Sequence, residues 1–261
     1  MTPLGLLSND MYLSRNRSPK ARRRYLIAPA LAVAGTLLAT GVAAAEEGPD
    51  VSSWQHPGGS GINWFAVRGA GHRFAMVKAT EGLNYINPHF VPDSLLMRAA
   101  GVARGTYHFA RPALLPEAQA AFYSAIVLGQ NGPLDLPPVL DLEDSGGLPA
   151  PALIDWTHRY LNTVQALTGR VPIIYTGVNF WKTAMANSNE FTRYPLWIAD
   201  YRGNDDPEVP GGWPAWTFWQ YTDSGSIPGI PGATDINVYS GAQGDLARFA
   251  NMPSSGSAGS S

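Results

Sequence analysis

The sequence predicts an α/β fold in which a mostly parallel sheet closes into an irregular, flattened TIM-like (β/α) barrel. From Asp50 onward, strand-like apolar runs alternate with helix-like segments, the signature of parallel strands joined by crossover helices. About eight strands fall within about 210 residues with no dividing linker, which suits a closed barrel better than an open sheet. The last third has short connections and few helices, so irregularity is expected there.

The elements follow in order. Asp50–Trp54 reads as a short first strand. Asn63 is placed to cap a helix running to about Ala70, and Phe74–Ala79 is the second strand. Pro88–Ala100 is helical with Gly101 as its stop, before a strand over Val102–Phe109. An Ala-rich helix over Pro116–Gln130 precedes Val139–Glu143. The amphipathic segment Pro151–Leu167 ends at Gly169 and leads into Val171–Tyr175. A helix near Val178–Ala186, strands at Leu196–Asp200, Ala215–Tyr221 and Asp235–Tyr239, and a short helix at Gly244–Ala250 complete the chain.

Residues 1–45 read as a leader outside this fold. Arg15, Arg17, Lys20 and Arg22–Arg24 form a basic stretch. The uncharged, Ala-rich run Leu26–Val42 follows, then Ala43-Ala44-Ala45. Basic, apolar, then small is the order of a secretory signal peptide, and Arg22-Arg23-Arg24-Tyr25-Leu26 resembles a twin-arginine signal. The expectation is therefore a secreted, extracellular domain over 46–251 with a flexible Ser/Gly tail over 252–261. The chain has no cysteine, so its core alone must hold it together. From 18 basic and 20 acidic residues, the leader removes six and one, leaving 12 and 19, a formal charge of −7. That balance argues against nucleic acid as a partner. After leader cleavage no stable membrane association is expected, and the domain is expected to be a monomer.

Candidate chemistry centres on Val139-Leu140-Asp141-Leu142-Glu143-Asp144, an apolar strand ending in acids. Side chains two apart on a strand share a face, about 6.6 Å apart along it, so Asp141 and Glu143 are expected to perturb each other's ionisation. Strand-end acids also serve as helix caps or surface charges. Here, however, Asp50 on the first strand and Asp200 at the end of the sixth fall at comparable positions. The C-terminal strand ends of a barrel form one face, where active sites are built. Four acids from three segments converging there point to a two-carboxylate reaction such as glycoside hydrolysis. The five histidines have no metal-ligand spacing, Gly-x-Ser-x-Gly is missing, and Gly69-Ala70-Gly71 follows a helix instead of a strand. No metal or cofactor is expected. Eight tryptophans and eleven tyrosines would fill the core or serve as sugar platforms.

The stretches Asp50-Val51-Ser52-Ser53-Trp54-Gln55, Phe74–Gly82, Gly105-Thr106-Tyr107-His108-Phe109, Asp141-Leu142-Glu143, Ile174-Tyr175-Thr176, Leu196–Tyr201, Trp219-Gln220-Tyr221 and Asp235-Ile236-Asn237 form an ordered set. Taken together, they resemble glycoside hydrolase family 25, the Chalaropsis-type lysozymes. The resemblance covers nearly all of 48–250, with His56 a departure where the family carries a small residue or proline. It implies cleavage of the β-1,4 bond between N-acetylmuramic acid and N-acetylglucosamine in bacterial peptidoglycan. By position, Glu143 would be the general acid, and Asp141 would assist the substrate's N-acetyl group or act as nucleophile. Asp50 and Asp200 would complete the catalytic cluster. Tyr107, Tyr175, Trp197 and Tyr201 resemble groove aromatics, with Gln220, Asp235 and Glu81 as polar substrate contacts. A Lys78–Glu81 ion pair is an equal expectation. A chitinase-like hydrolase of acetamido sugars, or a catalytically silent module that grips wall glycan, are the alternatives.

Overall fold

The computed structural model describes residues 46–128, 132, 134–241 and 245–250. The expected leader and the 252–261 tail lie outside the described residues. The strands are β1 (Glu46–Val51), β2 (Phe74–Glu81), β3 (Tyr85–Ile86), β4 (Ala103–Phe109), β5 (Val139–Asp141), β6 (Ile173–Gly177), β7 (Leu196–Ala199), β8 (Phe218–Gly225) and β9 (Thr234–Tyr239). The helices are α1 (Trp64–Gly69), α2 (Phe90–Ala100), α3 (Pro116–Leu128), α4 (Ala150–Thr168), α5 (Val178–Thr183) and α6 (Asp245–Ala250).

Eight of the strands close on themselves in the order β1-β2-β4-β5-β6-β7-β8-β9, and β9 returns to β1. Six successive pairs from β1 to β8 are parallel. β9 runs antiparallel to both neighbours, because it follows β8 by a short return with no crossover helix among the described residues. β3 pairs antiparallel outside the ring, on the end of β2, and was not anticipated. The barrel is thus α/β and helix-poor in its last third, as its spacing predicts.

Alternation along each strand sorts the side chains into two cores. Inside the barrel lie Phe74, Met76, Tyr107, Val139, Ile173, Tyr175, Trp197, Phe218 and Tyr239, with Leu246 and Ala250 of α6 closing the lower end. Between strands and helices lie Val77, Leu140, Ile174, Ile198, Tyr160 of α4 and Trp181 of α5. Asn63 caps α1 by accepting from the Ala66 amide at 3.1 Å, and Gly101 and Gly169 end α2 and α4 at φ 70° and 69°. The first strand ends earlier than expected. Ser52 accepts from Trp54 N, and the Gln55 side chain accepts from Ser52 N at 2.9 Å, so Ser52–Gln55 forms a capped 3₁₀ turn.

Tight packing inside β1 gives a test. A Cβ on Gly48 would stand 2.2 Å from the Phe74 carbonyl oxygen, a backbone atom with little room to yield. Gly48→Ala should cost about 1–3 kcal/mol, lowering the thermal midpoint by about 2–4 °C per kcal/mol in a domain of this size. Gly61, with open space around it, is the control, and Gly61→Ala should leave the midpoint in place.

Candidate active site

The closed ring brings four carboxyl groups to one mouth. Asp50 points inward from the end of β1. Asp141 ends β5, and Glu143 lies two residues further along a backbone still held to β6 by Leu142 N–Tyr175 O at 3.0 Å. Asp235 is the fourth. β9 runs antiparallel, so its N-terminal end lies at this mouth, and Asp235 stands directly opposite Asp50 in register.

Asp50 is buried, and its Oδ2 accepts from Gln220 Nε2 at 2.7 Å and from Asn237 Nδ2 at 2.9 Å. Its carboxyl also hydrogen-bonds that of Asp235. Burial first, and then the charge and hydrogen bond of Asp50, push Asp235 up to about 8. Burial also raises Asp50, against the lowering effect of its hydrogen-bond donors. Asp235 therefore still holds its proton at neutral pH, and Asp50 across from it is also raised.

The second pair is built differently. Asp141 is buried, and its Oδ1 has no hydrogen-bond partner. Burial, then the charge of Glu143, hold it well above the usual carboxylate range. Glu143 keeps access to solvent at the mouth, yet the surrounding walls desolvate its carboxyl. That desolvation first, and Asp50 second, raise it as well. Two acids of this kind cannot both ionise cheaply, and Glu143 is the one exposed at the mouth.

Cations face these acids from the β2–β4 side. Lys78 Nζ meets Glu81 Oε2 at 2.6 Å, and Arg111 bridges Glu81 at 2.5 Å and Asp144 at 3.0 Å. Residues three apart on a strand normally face opposite ways. The irregular register between Lys78 and Thr80 turns Lys78 and Glu81 to the same side. Burial alone would raise Glu81, but Lys78 and Arg111 together hold it below its ordinary value. Glu81 is thus tied into an ion-pair chain at the rim.

The aromatic residues divide. Tyr175 and Tyr201 both donate to Gln220 Oε1, Tyr175 at 2.8 Å, which fixes the amide so that its NH₂ faces Asp50. Tyr201 is 44% exposed and lines the mouth, whereas Tyr107 and Tyr175 are buried. Trp197 is corrected from groove to core. At 2% exposure it lies beneath Tyr175, donating from Nε1 to Asn237 at 2.7 Å. Asp200 is corrected too. Trp197 and Ala199 point into the barrel, so Asp200 points out. There it accepts from Arg202 Nε and Nη2 at 2.7 and 2.6 Å and from Glu208 N at 2.9 Å. The Arg202 hydrogen bond keeps it below its usual value. Asp200 therefore shapes the 200–208 loop and stands apart from the acid cluster. Asn237 was not anticipated as a site residue, although its place two residues beyond Asp235 puts it on the same face. Among the described residues, no group of three or more histidine or carboxylate side chains is placed to hold a metal ion.

Residues 49–230 match the family model described as Glycosyl hydrolases family 25. This chain belongs to that family. Over 214 residues it is 38% identical to lysozyme M1 of Streptomyces globisporus, covering 78% of this chain and 71% of that one. It is also 36% identical over 190 residues to the N,O-diacetylmuramidase of a Chalaropsis species, covering 68% and 88%. The crystal structure of a lysozyme from Streptomyces coelicolor superposes with a TM-score of 0.73 at 36% identity, over 79% of this chain and 97% of that one. Membership of family 25 makes the chain a glycoside hydrolase and accounts for the barrel.

The raised carboxyl of Asp235 has a measurable consequence. From the ordinary 3.8 up to about 8, the folded protein holds a proton there that the unfolded chain has released. Stability contributed by this group is therefore lost as pH rises through that window. Asp235→Asn keeps a donor towards Asp50 without an ionisable group. Its thermal midpoint should exceed the parent's by a few degrees near pH 8, and the difference should close towards pH 4.

Proposed function

We propose that this chain is a secreted lysozyme that hydrolyses the β-1,4 bond between N-acetylmuramic acid and N-acetylglucosamine in bacterial peptidoglycan. The observation that carries this reading is the Asp141–Glu143 pair, one acid buried with an unpartnered oxygen and the other at the mouth. Relatives named lysozyme and N,O-diacetylmuramidase support the choice of substrate, and the leader-like residues 1–45 support secretion. Among the described residues no helix is long and apolar enough to cross a membrane.

In this mechanism the pair enters the reaction with one proton. An acetamido N–H donated to Asp141 Oδ1 would favour ionised Asp141 and drive the shared proton to Glu143. Glu143 then protonates the leaving oxygen. Asp141 orients the acetamido group, whose carbonyl oxygen attacks the anomeric carbon as the glycosidic bond breaks. Water opens the resulting ring, giving its proton back to Glu143. The single negative charge shared by Asp50 and Asp235 steadies the oxocarbenium-like transition state. Gln220 and Asn237 hold that charge in place.

Incubating the protein with purified peptidoglycan and identifying reduced fragments by mass spectrometry tests the bond cleaved. Fragments ending in reduced N-acetylmuramic acid are expected, and fragments ending in reduced N-acetylglucosamine would refute the assignment. Glu143→Gln should lower the rate by about 10³-fold, within the range of a lost general acid, while leaving folding and glycan binding intact. Full activity in that variant would remove Glu143 from its role.

A further inference from the structure

The turn that follows β1 holds a large aromatic side chain away from the protein. Trp54 is 74% exposed, more than any other large apolar side chain among the described residues. An indole in that position usually belongs to a loose loop, but this turn is fixed on every side. Ser52 and Gln55 cap it reciprocally, and Gln55 Nε2 reaches Ala233 O at 3.4 Å, just before β9. Ser53 Oγ accepts from Tyr85 of β3 at 3.2 Å.

The next residue is anchored more firmly still. His56 is buried, with Nδ1 2.8 Å from Ser60 O and Nε2 2.9 Å from Asp93 Oδ2. Trp64 donates to the other oxygen of Asp93 at 3.0 Å, and the ring of His89 stacks on His56 at 3.7 Å, nearly parallel. The turn thus spans the rim from the β2–β3 hairpin to the start of β9, between the chain segments that carry Glu81 and Asp235. Asp50 lies four residues upstream.

An exposed aromatic ring on an anchored turn, four residues beyond Asp50, suits a flat, weakly polar ligand, because little backbone ordering remains to be met on binding. We propose that Trp54 is a sugar-stacking platform at a subsite beyond the cleaved bond, taking the apolar face of a pyranose ring of the glycan strand. The inference rests on the muramidase reading above and adds a specificity-determining residue to it. Its ligand is the saccharide backbone, not the stem peptide. A short saccharide would then be held less well than a strand long enough to lie across both Tyr201 and Trp54.

The test uses the full chain carrying Glu143→Gln, with glycan strands stripped of their peptides by an amidase as probe. Adding Trp54→Ala or Trp54→Leu should weaken binding by about tenfold, the scale of one lost aromatic anchor. Trp54→Phe should recover most of it. The thermal midpoint should stay unchanged in all three, since the side chain packs against little. Equal binding by the Ala variant, or full recovery by Leu, would overturn the platform. Weakened binding to intact peptidoglycan but not to stripped strands would also overturn it, moving the contact to the peptide. If Glu143→Gln binds no stripped strand and the unmodified chain releases no muropeptide, the muramidase reading itself has failed. Binding and hydrolysis with no effect of Trp54 would end this inference alone.

Discussion

The site depends on the way the barrel closes. β9 enters between β8 and β1 in the opposite direction to both, and the register of that closure sets Asp235 against Asp50. Two facing buried carboxylates would repel strongly in a poorly solvated interior. The arrangement holds because Asp235 keeps its proton up to about 8 and because donors converge on Asp50. Gln220 and Asn237 supply them, and each is itself oriented by aromatic donors. Tyr175 and Tyr201 occupy the Gln220 carbonyl, and Trp197 occupies the Asn237 carbonyl. Aromatic donors, Tyr175 and Trp197 from within the barrel and Tyr201 from the mouth, therefore decide which way the amides face.

The two acid pairs differ because their surroundings differ. Asp50 accepts from two side-chain amides, so its charge is compensated before any ligand arrives. Asp141 keeps an oxygen with no partner, a costly arrangement in an empty site and a useful one for a ligand that brings an N–H. Lys78 lies close enough to lower both Asp141 and Glu143, offsetting part of the repulsion. Ordinary alternation with Phe74 and Met76 turns it inward, and the irregular register that follows it in β2 turns Glu81 towards it. Structural ion pairing and tuning of the acids are thus functions of one short segment.

Much of this was legible in the sequence. The strand–helix alternation and the acids at Asp50, Asp141 and Glu143 follow from period-two patterning and from the rule that barrel sites lie at the C-terminal strand ends. That same rule misplaced the fourth acid. It selects Asp200, at the end of a parallel strand, and overlooks that β9 reverses and presents its beginning to the mouth. Parity would have helped, since Asp200 is one step out of phase with inward Trp197 and Ala199. The direction of β9 is harder to read, because it depends on a short return between two strands. Trp197 misled for a related reason. Tryptophan at a strand end reads equally as a groove wall or as a floor, and depth along the barrel axis is set by shear, which sequence spacing does not reveal.

His56 shows how a local departure from a family pattern can leave chemistry untouched. With one ring nitrogen against the Ser60 carbonyl and the other against Asp93, the side chain is consumed in holding its own loop. No hydrogen bond leads from it to the acid cluster. The carboxyls are positioned by the ring of strands, where a shift in register would move every inward side chain at once. The rim is positioned by turns, each free to find its own anchor. Such a division separates the acids, set by strand register, from the rim, where the turn that carries Trp54 is held by its own hydrogen bonds four residues beyond Asp50.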